Sequence, residues 1–577
     1  MNDFLLGSKR IHTVVLVVIL ILAAFLRWYR LDNCVMCSQD EWMSLTATFY
    51  FLQKVANHGI FSATAFEFSA GFPLADVGRL GPPFDYTRSL MLVWTMPYYA
   101  VVALFDFPVS EGWYRFPGTL WAFPALVATY FFIYQLTRRH IAALAAVAMQ
   151  ATLLGHIVLT RIFVADMAFP FFYALTAGFW LKYVRDRQPR TRHWAYFTAM
   201  LYISSTPEGV IGLVSIVMLV ILVQWQSSPA YFPTGWLQEL SSMFVAWPAL
   251  WVFGFYAYQG LVEAKLYLFD RDNFLNHANY LGRMFGRGTG QIAFLPERLW
   301  DWYFYPNISA ALILAALLSL LMVKNKTWRA ALLFGWFWAI FWLVLTVIIS
   351  NSSSNFIRIM HPMLILGAIG ITAVYDWHPS VGTAFAGGLV VLNVIGVYTY
   401  PLLCPLPENQ NVAQAVGYLV QEYGDEWGGA STIGFFFPTQ SLQAYLPLGT
   451  YTEIGFQQPP RFGECMTELL PETVENLEVI FALPTGYDTR QQISRNLDFA
   501  ISHDCEQKKN AVLNHYAEAN GFHLVGTIQS EDGKIHANIW SKLPLDLGVV
   551  SIERANNLHY EKYSRRSWFS WDEDREW

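Results

Sequence analysis

The pattern of apolar and polar positions divides the chain near residue 400. Before that point apolar runs recur, many of them near the ~20 residues a helix needs to cross ~30 Å of hydrocarbon. They cover 12–26, 117–136, 141–159, 168–184, 194–204, 210–225, 237–258, 308–323, 331–350, 359–374 and 381–400. A further apolar run occupies 90–107. Beyond 400 the runs shorten and alternate with polar residues, as in a water-soluble domain. There the periodicity predicts helices over 412–422 and 506–520 and buried strands over 431–437 and 477–483. It also predicts a hairpin pairing 522–529 with 535–540 around Glu531-Asp532-Gly533. The expected fold is a polytopic α-helical membrane protein with about 11 crossings and additional interfacial helices, followed by a C-terminal soluble α/β domain. The expected domains are 1–402, with extracytoplasmic loops 27–116 and 259–306, then 403–545, and a tail over 546–577 that mixes charge with Tyr, Trp and Phe.

Composition agrees with this class: 55% of the 577 residues are hydrophobic and only 14% charged. The net charge of −6 and the lack of a basic stripe or nucleic-acid module argue against a nucleic-acid partner. The first apolar run ends in Arg27-Trp28-Tyr29-Arg30 rather than a small-residue cleavage site, which predicts an uncleaved first helix. Lys and Arg cluster at Lys9-Arg10, at Arg138-Arg139-His140, and over 185–192 and 324–329. The positive-inside rule makes all of these cytoplasmic, provided that 90–107 is interfacial or re-entrant. The chain is then a multi-pass cell-membrane protein with a cytoplasmic N-terminus and an extracytoplasmic C-terminal domain. Asp40-Glu41, the turn from Arg161 to Asp166, and segments 205–209, 259–306 and 351–358 share the outer face. All five cysteines lie outside too. Cys465 with Cys505 is the best guess for a disulfide, and a local bridge between Cys34 and Cys37 is favoured over a metal site.

The stretch 27–59 carries the strongest chemical signal. Trp42, Leu45, Phe49 and Leu52 recur at helical spacing, so Asp40 and Glu41 open an amphipathic helix on the membrane surface that ends near Lys54, His58 and Gly59. Neighbours on a helix point about 100° apart, so one carboxylate does chemistry while the other orients or caps. The competing reading is that both only complement the positive helix N-terminus. Arg27, Arg30, Arg79 and Arg358 have the alternative of snorkelling to headgroups, and His156 and His361 read as satisfied core residues. The loop Gly286-Arg287-Gly288-Thr289-Gly290 reads as a flexible rim before it reads as a phosphate binder. No fixed metal site is evident, and Mg²⁺ or Mn²⁺ held jointly by carboxylates and a substrate phosphate stays open.

Several of these features fall in a familiar order. They are Asp40-Glu41 after a first helix, Pro82-Pro83, Arg115-Phe116-Pro117-Gly118, Arg161 with Asp166, Arg358-Ile359-Met360-His361-Pro362, and a C-terminal α/β domain. Over roughly residues 10–400 the chain resembles the GT-C superfamily of membrane glycosyltransferases, in its protein O-mannosyltransferase and aminoarabinose-transferase branch. The resemblance implies transfer of a sugar from a polyprenyl-phosphate donor to a protein, lipid or glycan acceptor at the extracytoplasmic face. It implies Asp40 as base, Glu41 completing its motif, Asp166 as a second acidic position and Arg358 near the lipid phosphate. Arg79 and Arg161 join Arg358 as phosphate-binding residues, Arg161 having the alternative of pairing with Asp166. The chemistry fits: an attacking hydroxyl must lose a proton, and an ionised leaving phosphate is matched by the planar guanidinium fork. The chain departs from the family where Gly81 stands before Pro82 in place of a Lys, and where Pro207-Glu208 stands in an outer turn that commonly carries one. A catalytically inactive scaffold of the same fold, binding a protein partner through the C-terminal domain or tail, is therefore the alternative. A transporter is disfavoured by the lack of an internal repeat.

Overall fold

The computed structural model describes residues 2–29, 31, 98, 111–161, 169–205, 209–227, 323–349, 356–399, 407–428, 432–435, 452–456, 467–484 and 497–555. They belong to two compact units, one helical and one α/β. The apolar runs 237–258 and 308–322, the surface helix after Asp40, the glycine-rich loop, four of the cysteines and all of 90–107 except Tyr98 lie outside the described residues.

Within them, each of the remaining apolar runs forms a helix. These are α1 (Asn2–Trp28), α2 (Glu111–Leu120), α3 (Ala122–Thr137), α4 (His140–Thr152), α5 (Leu154–Arg161), α6 (Phe169–Asp186), α7 (Pro189–Ser205), α8 (Gly209–Ser227), α9 (Lys326–Ile349), α10 (Phe356–Trp377) and α11 (Pro379–Thr399). Ile11–Trp28 and Arg115–Thr137 are long and apolar enough to cross a membrane. The run 141–159, expected as one helix, is broken at Leu153, whose ψ of 121° is extended. The break follows Thr152, whose hydroxyl donates back to the carbonyls of Ala148 at 2.8 Å and Met149 at 3.4 Å, a bond that competes with helix continuation.

Both ends of this unit are recognisable. At one end Arg138 closes α3 in the left-handed conformation, φ 59°, with its N–H on Tyr134 O. There Arg139 pairs with Asp376 at 2.5 Å, His140 stacks on His12 at 4.8 Å, and Arg185 donates to Gln135 O. The basic clusters at 138–140 and 185 thus gather with the N-terminal part of α1. Following α1, α4 and α6 along their lengths places Arg27, Thr152 and Phe169 at the opposite end, together with the start of α10.

The second unit comprises α12 (Pro407–Tyr423), β1 (Ile433–Phe435), β2 (Thr452–Glu453), β3 (Val479–Ala482), α13 (Leu497–Ala519), β4 (His523–Gln529), β5 (Ile535–Ser541) and β6 (Gly548–Ser551). The strands form one sheet in the order β2-β1-β3-β5-β4-β6. β1 runs parallel to β2 and β3, β5 antiparallel to β3 and β4, and β6 parallel to β4. Alternation along β3 sends Val479 and Phe481 into a core with Val416, Leu419 and Trp427, and Ile480 and Ala482 into a second core with Leu513, Ala517 and Trp540. Helices cover both faces, which is why 477–483 reads as an unbroken apolar run. The predicted hairpin is present. The last helix begins at Leu497 rather than 506, because the polar His503-Asp504-Cys505 interrupts its apolar pattern. The sheet runs on past residue 545 through β6, and Ile552 and Ala555 close its first core. β6 carries no sequence signal because its Gly548-Val549-Val550-Ser551 is short and shows no alternation of burial.

Two predictions follow from these contacts. A Cβ on Gly382 would meet the backbone Cα of Tyr375 at 2.4 Å, whereas one on Gly388 of the same helix meets nothing within 4 Å. Gly382→Ala should destabilise by about 1–3 kcal/mol through forced separation of α10 and α11, and Gly388→Ala should be neutral or stabilising by up to about 1 kcal/mol, both read by unfolding in detergent. In the hairpin, the Ser530 hydroxyl and the Lys534 N–H donate to Asp532, holding its carboxyl below the ordinary range. A depressed carboxyl contributes its stability above the unfolded value and loses it as pH falls through the folded one. Amide exchange of the 523–541 hairpin should therefore be faster in Asp532→Asn than in wild type at neutral pH, with the difference vanishing below the ordinary carboxylate range.

Candidate functional site

The end of the helical unit opposite the basic clusters is built on polar side chains inserted between helix termini. Arg27, in the last turn of α1, is 0% exposed. Its Nε donates to Thr160 Oγ1 at 3.0 Å, and its Nη1 to Ala23 O at 3.1 Å and Ala151 O at 3.0 Å. Its Nη2 lies 2.8 Å from His156 Nδ1. Thr160 in turn donates to His156 O at 2.7 Å. From the other side, Arg161 at the end of α5 donates Nη1 to Leu26 O at 3.2 Å and Tyr29 O at 2.9 Å, the carbonyls that end α1. Each helix therefore sends an arginine into the other's end.

The chemistry of these contacts fixes proton positions. A guanidinium is donor-only, so His156 Nδ1 must accept and the ring is neutral with its hydrogen on Nε2. The side-chain amide of Gln150 lies 3.3 Å from Nε2 and must present its oxygen there. His156 is thereby committed on both nitrogens and has no capacity as an acid or base. Asn393 of α11 donates to Thr152 Oγ1 at 2.8 Å, which joins α11 to the same α4 terminus.

A second tie connects α10 to α6. His361 is fully buried, its Nε2–H donates to Pro170 O at 3.1 Å, and its ring stacks on Tyr173 at 4.3 Å. The Tyr173 hydroxyl meets Ser215 Oγ at 3.1 Å, extending the tie to α8. His156 is a satisfied core residue, as its position on an apolar helix end led one to expect; His361 is equally buried, but its Nδ1 has no hydrogen-bond partner among the described residues.

Of the residues singled out by sequence, Asp40, Glu41, Arg79 and Asp166 lie outside the described residues. Arg358 is in the first turn of α10, one turn before His361, and Pro362 cannot donate to the Arg358 carbonyl. Arg161 is buried, with Nη1 on the end of α1. Arg27 does not snorkel: it is sealed inside the protein. The helix ends that lead to Asp40 and Asp166, and the one that carries Arg358, are thus fastened to one another. Sequence reasoning passed over Thr160, Gln150, Thr152 and Asn393. Their signal was polar residues near the ends of otherwise apolar runs, too sparse to separate from helix-capping noise. Among the described residues, no three of His, Cys, Asp and Glu converge on a point able to hold a metal ion.

The α10–α6 tie is testable. His361→Phe keeps a ring against Tyr173 but removes the donor to Pro170 O, at a cost of about 1 kcal/mol. His361→Leu also loses the stacking and should cost about 2–3 kcal/mol. Chemical unfolding in nanodiscs checks both, and equal stability of the three proteins would exclude the tie.

Residues 96–264 match the family model described as dolichyl-phosphate-mannose-protein mannosyltransferase, a range that includes the helices from α2 to α8. No curated protein matches the chain in sequence. Among solved structures, ArnT from Cupriavidus metallidurans in the apo state is similar over 92% of this chain and 98% of its own, at 11% identity and a TM-score of 0.50. The same protein bound to undecaprenyl phosphate is matched over the same shares at 11% identity and a TM-score of 0.48. The chain therefore shares the fold of ArnT, and its residues 96–264 are similar to the mannosyltransferase family.

Proposed function

We propose that this protein transfers a sugar from a polyprenyl-phosphate donor to a hydroxyl-bearing acceptor at the extracytoplasmic membrane face. The observation that carries the reading is the mannosyltransferase family match over 96–264, whose helices include the end that leads to Asp166 and the one that receives His361. In this reading the acceptor oxygen attacks the anomeric carbon and its proton passes to Asp40, while Glu41 orients that carboxylate. The bond from the anomeric carbon to the phosphate oxygen breaks, and the lipid phosphate leaves with the electron pair. Asp166 serves as the second acidic residue. Arg358, Arg79 and Arg161 meet the phosphate, Arg161 with its Nη1 already on helix carbonyls. The acceptor class stays protein, lipid or glycan. A Mg²⁺ or Mn²⁺ ion shared by the carboxylates and the donor phosphate suits these oxygen ligands.

The departures at Gly81 and at Pro207-Glu208 favour one second reading, a scaffold that keeps the fold without the activity. The test is sugar release from a panel of radiolabelled polyprenyl-phosphate sugars by purified protein in native-lipid nanodiscs, with and without EDTA. Wild type should turn over, and Asp40→Asn should be slower by about 10²–10⁴-fold. No turnover by wild type with any donor and acceptor would leave the scaffold reading in its place.

A further inference from the structure

Two adjacent helices end in the same unusual way. Among the described residues only two non-glycines hold a left-handed backbone, Arg138 at φ 59° and Arg187 at φ 52°. Arg138 closes α3 and Arg187 follows α6, each with its N–H on the carbonyl of a tyrosine four residues back, Tyr134 and Tyr183, at 2.8 Å. Each guanidinium lies 5.7 Å over that tyrosine's ring. The contacts of Trp121 with Phe172 and of Phe131 with Phe179 make α3 and α6 parallel, so both arginines come to one end. Glycine is the ordinary residue at such a helix end, because a Cβ there strains the backbone. Two arginines in its place point to a use for the side chains.

A third arginine joins them. Arg185 reaches from α6 to the last carbonyls of α3, donating to Gln135 O and Leu136 O, and Arg138 is near enough to repel it. Among the described residues neither Arg138 nor Arg185 pairs with a carboxylate, and the Arg138 guanidinium makes no hydrogen bond. The described acids at this end are committed elsewhere: Asp376 to Arg139, and Asp186 to the Gln188 N–H and the Thr191 hydroxyl, both at 3.0 Å. Like charges held together are costly unless an anion joins them. The unused donors suit one, since a planar fork matches phosphate oxygens. The neighbouring surface is apolar: Trp194 of α7, stacked on Phe179 of α6, and Phe197 expose their rings, as residues do at the level of lipid headgroups. We propose that Arg138 and Arg185, at the paired ends of α3 and α6, bind the phosphate of an anionic phospholipid whose chains lie along the Trp194 face. The site is at the end of the helical unit opposite Arg27 and His361. It requires a membrane-spanning chain but not sugar transfer.

The test uses the full chain in nanodiscs of phosphatidylcholine with and without phosphatidylglycerol. Native mass spectrometry reads the lipids retained by the released protein, and thermal unfolding reads stability. Wild type should retain phosphatidylglycerol over phosphatidylcholine and melt higher when it is present. Arg138→Gly keeps the left-handed cap and removes the fork. It should melt no lower than wild type in phosphatidylcholine alone, yet lose about fivefold in relative retention of phosphatidylglycerol. Arg185→Gln should lose a similar factor. Arg139→Gln removes the same charge one residue away, from a cation already paired with Asp376, and should change retention by less than about twofold. Equal loss in Arg139→Gln, or no lipid preference in wild type, overturns the site. So does stabilisation by inorganic phosphate in phosphatidylcholine as large as that by phosphatidylglycerol, which assigns a free anion instead. Asp40→Asn should leave lipid retention unchanged whatever its turnover, so failure of sugar transfer and failure of the lipid site read out separately. A wild-type chain that stays in solution without detergent and enters no nanodisc refutes the membrane placement, and this site with it.

Discussion

The packing at the end of the helical unit opposite the basic clusters depends on how the Arg27 guanidinium is kept out of water. A charge buried in low dielectric must be met by oriented partners or the fold does not form. Here the partners are two carbonyls, a hydroxyl and an imidazole. That requirement explains features that look unrelated. The helix break at Leu153 frees the Ala151 carbonyl to face Arg27. Thr160 turns its hydrogen to His156 O so that its lone pair faces Arg27. His156 is held in one tautomer, with Gln150 fixed behind it.

The two ends of the unit use charge in opposite ways. At the basic end Arg139 is half-exposed and pairs with Asp376, also exposed, an arrangement that contributes little energy. Salt screens such a pair, so it adds little to how tightly the helices pack. At the other end Arg27 and Arg161 are buried and bind helix termini, where screening by salt is weak and geometry is strict. The same residue type thus stays at the surface at one end and builds the interior at the other. Exposure decides which.

That distinction also marks what the sequence made legible. Helix positions were readable because a span needs about 20 apolar residues, and the α/β unit because strand and helix periods differ. The Glu531-Asp532-Gly533 turn named its hairpin directly. Snorkelling stayed open as an alternative for Arg27 because its place near the end of an apolar run is the same for snorkelling and for insertion between helices. Only the identity of its neighbours separates them, and Ala151, His156 and Thr160 are more than a hundred residues away. β6 was invisible for a similar reason: its pairing with β4 is decided by the partner, not by its own pattern.

This division bears on how a fold persists when sequence similarity has fallen to 11% over nearly the whole chain. Lipid-facing positions tolerate any apolar residue, because transfer between hydrocarbon and another apolar side chain changes little energy. Buried polar ties tolerate almost nothing, since losing one partner leaves the other unsatisfied where no water can replace it. Few residues therefore need to be kept to hold helix ends in place, provided they are the right ones. Arg27, His156, Thr160 and Arg161 are such a set at one end, with His361 and Tyr173 beside them. Their spacing along the chain, from 27 to 361, makes them one constraint on tertiary structure rather than six local ones.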